Sequence, residues 1–246
     1  MLSIENLSFA KRLDSINVCA HPGQFIQILG PNGAGKSSLL RVIAGLDNAD
    51  AGRLCINQRD TAHISMTEMA TFRCFQEQQQ SHVFALTVRE SLTFFARDIT
   101  MPTMLENALE IAPFMSRSLL TLSGGESRRV QIARALLQIW PAIEQGQGLI
   151  LLDEPSQGLD FRHQHLLLSC LVELVKLGNI VLMSEHDLNV CTQYADGVWL
   201  MRSGEVEYHG PVEEVMTPDI LSDIFDCQVR RFNDLAGNSI LQTYLV

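Results

Sequence analysis

Three features that mark other protein classes are missing from this chain of 246 residues. No run approaches the ~18 consecutive apolar residues that a bilayer-spanning helix needs, and the first residues lack the pattern of a secretory signal. The six cysteines show neither C-x-x-C pairing nor zinc-ligand spacing. These absences disfavour a membrane-spanning, secreted or zinc-binding protein, and we expect a cytosolic chain with reduced, mostly packed thiols.

Positive charge is also scarce. The chain carries 18 Lys and Arg against 28 Asp and Glu, which gives a formal net charge of -10 and a pI near 5.1. Because nucleic-acid-binding proteins need a basic face, we expect no nucleic-acid partner. The hydrophobic content of 46% suffices for one sizeable domain, or for a core with an inserted subdomain.

The chain does contain a glycine-rich segment that matches the phosphate-binding pattern G-x-x-x-x-G-K-[ST]. Glycines let backbone amides approach phosphate oxygens, Lys36 supplies charge to the β- and γ-phosphates, and the Ser37 hydroxyl can ligate Mg²⁺. A strand predicted over 25–29 and a helix predicted over 38–45 make a chance glycine turn the weaker interpretation. The predicted nucleotide-binding residues here are Gly30, Pro31, Asn32, Gly33, Ala34, Gly35, Lys36, Ser37 and Ser38.

An acidic pair follows a second apolar run. Residues 149–152 form a continuous apolar segment of strand length, which is typical of a parallel strand buried on both faces. Asp153 and Glu154 come directly after it, at the expected carboxyl edge of the sheet. There Asp153 can hold Mg²⁺ through water, and Glu154 can polarise an attacking water. The alternative is that both are solvated acids at a strand end.

A third motif, Ser123-Gly124-Gly125-Glu126, follows Leu122 and opens a predicted helix. Backbone N–H groups and the helix dipole at such a start favour an anion. The spacing Ser123-x-x-Glu126 is also a capping box, and the two interpretations are compatible. Because about ninety residues separate this motif from the phosphate-binding segment, the two look like half-sites, completed by a second copy of the chain.

Residues 180–183 are another strand-like run, which would place His186 at the same edge of the sheet as Asp153 and Glu154. With further motifs at 156–160 and 184–187, and with all motifs in the order that the family shows, the chain resembles the ATP-binding-cassette (ABC) ATPases over nearly its whole length. The resemblance implies one α/β domain over 1–246. It has a P-loop NTPase core with a mostly parallel sheet and flanking helices, an N-terminal antiparallel β part, and a helical subdomain inserted at 84–142. We expect antiparallel strands over 1–29 and 52–57, and a hairpin turn at 202–205. The predicted tail is a short helical pair, then a strand-turn-strand around 236–238.

The resemblance also implies roles for single residues, with ATP and Mg²⁺ as ligands. Glu154 and His186 would be catalytic, with His186 fixing the attacking water, and Asp160 would lie at a subunit interface. Gln78, with Gln79 as the alternative, would sense the γ-phosphate. The implied metal ligands are Ser37, Gln78 and Asp153, and the implied caps on the opposite subunit's nucleotide are Ser123, Gly124, Gly125 and Glu126.

Two positions depart from the family's pattern. Glu126 replaces the commoner Gln and adds negative charge near the nucleotide. Lys11 stands where most members carry an aromatic residue that stacks on adenine, so Lys11 or Arg12 could pack on the base instead. The preference for adenine over guanine is therefore expected to be weak.

A cassette without membrane segments implies a separate permease. The expected assembly is a homodimer on the cytoplasmic face of the inner membrane. Permease helices would dock beside Gln78 and residues 84–90, and a periplasmic substrate-binding protein would act indirectly. The segments 140–148 and 229–232 resemble those of ATPase subunits of bacterial vitamin B12 importers, with iron-siderophore or haem importers as the alternative.

Two rivals are weaker. A non-transport ABC protein would ordinarily carry two cassettes or a coiled-coil insertion, and a small-molecule kinase would not need His186 or the serine-diglycine motif.

Overall fold

The centre of the molecule is a six-stranded sheet, seen in a computed structural model that describes residues 1–78, 85–94, 101–233 and 239–244. Its strand order is β10-β9-β3-β8-β7-β6, and all neighbours are parallel except the antiparallel pair of β9 and β10. Helices cover both faces, so β3, β7 and β8 are buried at every position. The strands are β3 Phe25–Leu29, β6 Arg73–Gln76, β7 Leu149–Asp153, β8 Ile180–Ser184, β9 Gly197–Arg202 and β10 Glu205–Pro211.

A four-stranded antiparallel sheet, ordered β2-β1-β4-β5, lies beside this core. The turn of the chain into β4 requires a glycine, because any side chain at Gly52, whose φ is 89°, would collide with the Asn6 backbone. These strands confirm the antiparallel part expected from the sequence. They are β1 Leu2–Phe9, β2 Leu13–Ala20, β4 Ala51–Ile56 and β5 Arg59–Asp60.

Ten α-helices are found within the described part of the chain. The first begins at Lys36 rather than at the predicted Ser38, because Gly35 (φ 106°) already serves as its N-cap. Residues 140–144 are helical although they include Pro141, because a proline is tolerated in a first helical turn. The helices are α1 Lys36–Ile43, α2 Met66–Phe72, α3 Val88–Thr93, α4 Thr103–Leu109, α5 Gly124–Gln138, α6 Trp140–Glu144, α7 Phe161–Lys176, α8 Leu188–Tyr194, α9 Val212–Val215 and α10 Pro218–Phe225.

The helices within 84–142 share one apolar cluster with the sheet. Val88 of α3, Leu105 of α4 and Val130 of α5 belong to the same buried cluster as Ile150 of β7. The described helices of this segment therefore pack directly onto one face of the core, and their status as a separate subdomain stays a prediction.

The tail ends in a two-stranded hairpin, β11 Gln228–Asn233 with β12 Ser239–Tyr244, after the predicted helical pair. The turn predicted at 236–238 lies outside the described residues. β12 is tied to α8 because the Asn189 amide both donates to and accepts from the Leu241 backbone, at 3.1 and 2.8 Å. In the part of the chain that is described, no helix combines the length and apolarity needed to cross a membrane.

Candidate functional site

A cleft of about 620 Å³ opens at the carboxyl edge of the parallel strands, where ligands bind in open α/β sheets. The carboxyl ends of β3 and β7 contribute the phosphate loop and the acidic pair. The turn between β9 and β10 contributes a third wall. The cleft is lined by Lys11, Arg12, residues 32–38, Gln78, Glu154, Ser203 and Gly204.

The phosphate loop, residues 30–37, is shaped by glycines that other residues could not replace. Gly30, Gly33 and Gly35 have φ of 151°, 82° and 106°, and a side chain at Gly30 would collide with the Met201 carbonyl. No side chain caps α1, so its first N–H groups face the loop without a side-chain acceptor. This helix start is therefore suited to an anion such as phosphate.

Lys36 is the buried cation of the loop, with 6% of its surface exposed. Its ammonium donates to the carbonyl oxygens of Gly30 at 2.7 Å and Pro31 at 3.0 Å. Burial lowers the pKa of Lys36 from its ordinary value, while the negative charges of Glu154 and Asp153 act in the opposite direction. A charge held in this way can meet phosphate oxygens at the mouth of the loop.

Two predicted site residues, Gln78 and His186, converge on the carboxylate of a third, Glu154. His186 Nε2 lies 2.6 Å from Glu154 Oε1, and Gln78 Nε2 donates to Glu154 Oε2 at 2.7 Å. Glu154 has a φ of 48°, a left-handed conformation that a glutamate rarely adopts, and such strain is often found at functional positions. The edge predicted from the apolar runs therefore brings Gln78, Glu154 and His186 together. Gln79, the alternative to Gln78, lies outside the described residues.

Asp153 stands behind this carboxylate and is only 2% exposed. The Ser184 hydroxyl donates to Asp153 at 2.6 Å and accepts the Glu154 backbone N–H at 2.9 Å. The sequence placed Ser184 in the motif at 184–187 but assigned it no role. Ser184 thus fixes both members of the acidic pair.

The predicted metal ligands offer oxygen atoms. Ser37 and Gln78 line the cleft and carry a hydroxyl and an amide oxygen, whereas the carboxylate of Asp153 is buried behind Glu154 and is not among the lining groups. Hard oxygen donors are what Mg²⁺ prefers, so this donor set fits that ion.

The signature turn, residues 122–126, starts α5 with a complete capping box. The Ser123 hydroxyl accepts from the Glu126 N–H at 3.3 Å, and Glu126 accepts from the Ser123 N–H at 2.7 Å, as predicted. That backbone bond, together with the Arg117 guanidinium at 2.7 Å, lowers the pKa of Glu126 to about 2. Among the described residues that line the cleft, none comes from this turn. The two motifs therefore form separate surfaces of one chain.

Arg128 connects the signature helix to the predicted sensor. Its guanidinium donates to the backbone carbonyl oxygens of Glu77 at 3.1 Å and Gln78 at 2.6 Å. Sequence reasoning missed this residue. Its spacing of four from Ile132, which is fully buried, places a charged side chain on the apolar face of α5 and could have identified it.

Asp160 caps α7 rather than lining the cleft. It accepts the His163 backbone N–H at 2.9 Å, and its pKa is lowered chiefly by that bond. The preceding turn packs on the signature turn so closely that a Cβ on Gly125 would lie 2.9 Å from the Gly158 carbonyl oxygen. Asp160 therefore lies on the same surface as the signature turn, and we call residues 122–126 together with 158–160 the signature surface.

Lys11 and Arg12, which the sequence offered as partners of the base, both line the cleft. None of the described lining residues is aromatic. Ser203 and Gly204, from the turn between β9 and β10, are lining residues that the sequence did not reveal.

Known proteins resemble this chain in sequence and in fold. A family model described as ABC transporter matches residues 13–157. The vitamin B12 import ATP-binding protein of Yersinia pseudotuberculosis is 38% identical over 242 residues, covering 95% of each chain. The hemin import ATP-binding protein of Chelativorans sp. is 37% identical over 226 residues, covering 89% of this chain and 86% of that protein.

Solved structures agree with this fold. A dimeric ATP-binding cassette bound to ADP and phosphate superposes with a TM-score of 0.72 at 27% identity, covering 86% of this chain and 99% of that one. An inward-facing metal-chelate-type transporter matches with a TM-score of 0.78 at 23% identity, covering 99% and 96%. The α/β fold class predicted from the sequence is thereby confirmed, and the chain belongs to the ABC transporter family.

Proposed function

We propose that this chain is the ATP-hydrolysing subunit of a bacterial vitamin B12 importer, working as a homodimer with two shared ATP sites. The observation that carries the proposal is the convergence of Gln78 and His186 on the Glu154 carboxylate, beside a phosphate loop with a buried lysine. This arrangement supplies a carboxylate held at two oxygens, next to an anion site.

In the proposed reaction Glu154 polarises the attacking water, and His186 and Gln78 hold its carboxylate in place. Lys36 and the amides of the phosphate loop bind the β- and γ-phosphates. Mg²⁺, held by Ser37, Gln78 and Asp153, would neutralise the charge on the phosphate oxygens when bound.

The second copy is part of the proposal because the signature turn does not line the cleft of its own chain. A two-fold axis that places each signature turn over the other chain's phosphate loop completes both sites at once. Ser123, Gly124, Gly125 and Glu126 then cap the partner's nucleotide, and Asp160 lies at the interface. The helices within 84–142 are proposed to shift as a subdomain when the sites close.

Relatives that match most of the chain support the proposed cargo. The Yersinia pseudotuberculosis relative is named for vitamin B12 import and the Chelativorans relative for hemin import, at similar identities. Vitamin B12 is the proposed cargo, with haem or iron-siderophore complexes as the alternative. Permease subunits, fed by a periplasmic binding protein, would hold the dimer at the cytoplasmic face of the inner membrane.

Uptake by the source bacterium tests the cargo. The chromosomal copy is replaced by Lys36→Ala, and uptake of labelled cobalamin, haem and ferric siderophore is measured in parallel. Cobalamin uptake is expected to fall to background while the other two are unchanged. Lys176→Ala, on the exposed face of α7, is the matched control. Normal cobalamin uptake with loss of haem or siderophore uptake would assign the alternative cargo.

A further inference from the structure

A second cavity, of about 310 Å³, adjoins the catalytic carboxylate. His186 contributes to its wall and also contacts Glu154 at 2.6 Å, so this cavity and the nucleotide cleft are neighbours. We call it the switch pocket. It is lined by His186, Leu188, Phe225, Cys227, Thr243 and Tyr244.

The switch pocket offers mainly apolar and aromatic surface. Leu188 is buried, and Phe225 and Tyr244 are half-buried and contribute rings. A cavity of about 150 Å³ is enough to hold a benzene ring. A single phenyl side chain therefore fits, and neighbouring rings would stabilise it in tilted or offset contacts.

A side chain of that kind protrudes from the signature surface. Phe161, the first residue of α7, is 83% exposed, the largest exposed fraction among the large apolar side chains that the structure describes. It does not line the switch pocket of its own chain. Burial of an exposed phenylalanine against apolar neighbours is favourable, so contact with a partner would stabilise this side chain.

Both sequence neighbours of Phe161 make hydrogen bonds that fix the backbone there. Asp160 caps α7, and Arg162 pairs with Glu110 at the end of α4 through both guanidinium nitrogens, at 2.9 and 2.5 Å. Gly158, three residues earlier, lies against Gly125 of the signature turn. Phe161 is thus held at a fixed position relative to the signature turn.

We infer that Phe161 of one subunit inserts into the switch pocket of the second copy when the nucleotide-bound dimer closes. The inference rests on the proposed function, in which the signature turn of one chain covers the phosphate loop of the other. Phe161 moves with the signature turn, and the switch pocket moves with His186 beside the covered site. In a two-fold symmetric dimer this contact occurs twice, once in each direction. Each contact places a partner's ring against the residue that holds Glu154, so dimer closure and the position of the catalytic carboxylate are linked.

Cysteine cross-linking tests the contact because Cys227 already lines the pocket. Phe161→Cys is introduced into Glu154→Gln protein, which is treated with diamide in the presence or absence of ATP. If the thiols at positions 161 and 227 meet, diamide takes up their two hydrogens and electrons as the intersubunit disulfide forms. The expected result is an ATP-dependent covalent dimer on a non-reducing gel. It should disappear in Cys227→Ser protein and persist in Cys19→Ser protein.

A covalent dimer that survives Cys227→Ser would show that position 161 meets another thiol and would overturn the inference. Size-exclusion chromatography of Glu154→Gln protein with ATP separates the two proposals. A dimer that yields no cross-link overturns the switch-pocket contact alone, whereas a monomer removes the shared-site proposal as well.

A second variant gives an independent reading. Phe161→Ser is expected to raise the dimer dissociation constant of ATP-loaded Glu154→Gln protein at least about 10-fold, because apolar burial is lost at two symmetric contacts. Phe94→Ser, which alters another phenylalanine that is 73% exposed, is the matched control and should leave it unchanged. Equal effects of the two variants would contradict a specific role for Phe161.

Discussion

The phosphate loop and the signature turn are both glycine-rich starts of helices. The first N–H groups of a helix have no acceptor within the helix, and the two starts differ in whether a side chain supplies one. The phosphate loop uses positive-φ glycines and leaves α1 without a side-chain cap. The signature turn has glycines in ordinary helical conformation, and α5 is capped by its own Ser123 and Glu126. One start is thus open to a ligand within its own chain, whereas the other is complete without one.

The difference assigns separate tasks to the two surfaces. The phosphate-loop surface brings together the buried lysine and the carboxylate held by Gln78 and His186, which are the groups that we propose bind the nucleotide and react. The signature surface is held together by local hydrogen bonds, which suits a rigid cap for another chain's ligand. Substitutions on the phosphate-loop surface should therefore lower ATP turnover, whereas substitutions that disturb the packing or the capping of the signature turn should lower the stability of the fold.

The largest effect is expected on the phosphate-loop surface. Glu154→Gln should lower ATP turnover by about 100-fold or more, because a general base typically contributes that much. ATP binding should persist, and the dimer should accumulate. Steady-state hydrolysis and nucleotide binding measure the two effects, with Glu173→Gln on the exposed face of α7 as the control. Turnover near that of the parent would exclude Glu154 as the base.

Arg128→Leu probes the link between the surfaces. Loss of the guanidinium frees the carbonyl oxygens of Glu77 and Gln78, so turnover should fall about 10-fold, as for other residues that orient a ligating group. The neighbouring Arg129→Leu is the control, because Arg129 donates to the carbonyl oxygens of Leu109 and Glu110 instead. If both variants retain the parent's turnover, Arg128 does not orient Gln78.

The two glycines of the signature turn form a matched pair. A Cβ at Gly125 would lie 2.9 Å from the Gly158 carbonyl oxygen. A Cβ at Gly124 would have no atom of the described residues within 4 Å, apart from its chain neighbours and the backbone of its own helix. Gly125→Ala should lower the free energy of unfolding by about 1–3 kcal/mol through overpacking. Gly124→Ala should leave it unchanged or raise it by up to ~1 kcal/mol. Urea denaturation of both variants measures this, and equal values would contradict the packing described.

The smallest effect concerns acid stability of the signature turn. The folded pKa of Glu126 is about 2, below its ordinary value of 4.5, so its ionised form stabilises the fold above about pH 4.5. That contribution is lost as pH falls from 4.5 towards 2. The stability difference between the parent chain and Glu126→Gln should be constant near neutral pH and shrink in acid. Urea midpoints from pH 7 towards pH 3 measure it, and a pH-independent difference would contradict the assigned pKa.

Much of the fold could be predicted because its central strands are uninterrupted apolar runs. Residues 149–152 and 180–183 identified β7 and β8, and the chain order of the motifs then placed Glu154 and His186 at one edge. The capping box of α5 could likewise be predicted, because it involves only the four consecutive residues 123–126.

The rest depended on contacts between distant segments. Ser184 and Arg128 act on residues 31 and about 50 positions away, and no local pattern reveals such partners. The start of α1 was placed two residues late because the role of Gly35 as N-cap depends on its backbone conformation.

The most direct test of shared sites mixes two inactive chains. Lys36→Ala alone should weaken ATP binding about 10- to 100-fold, since a charge-assisted contact contributes about 1.5–3 kcal/mol. Ser123→Arg alone should block capping. A mixed dimer contains one site with both defects and one site with neither, so mixing equal amounts should restore about a quarter of the parent's turnover. A mixture as inactive as its separate components would contradict the account, because each chain would then have to build its site alone.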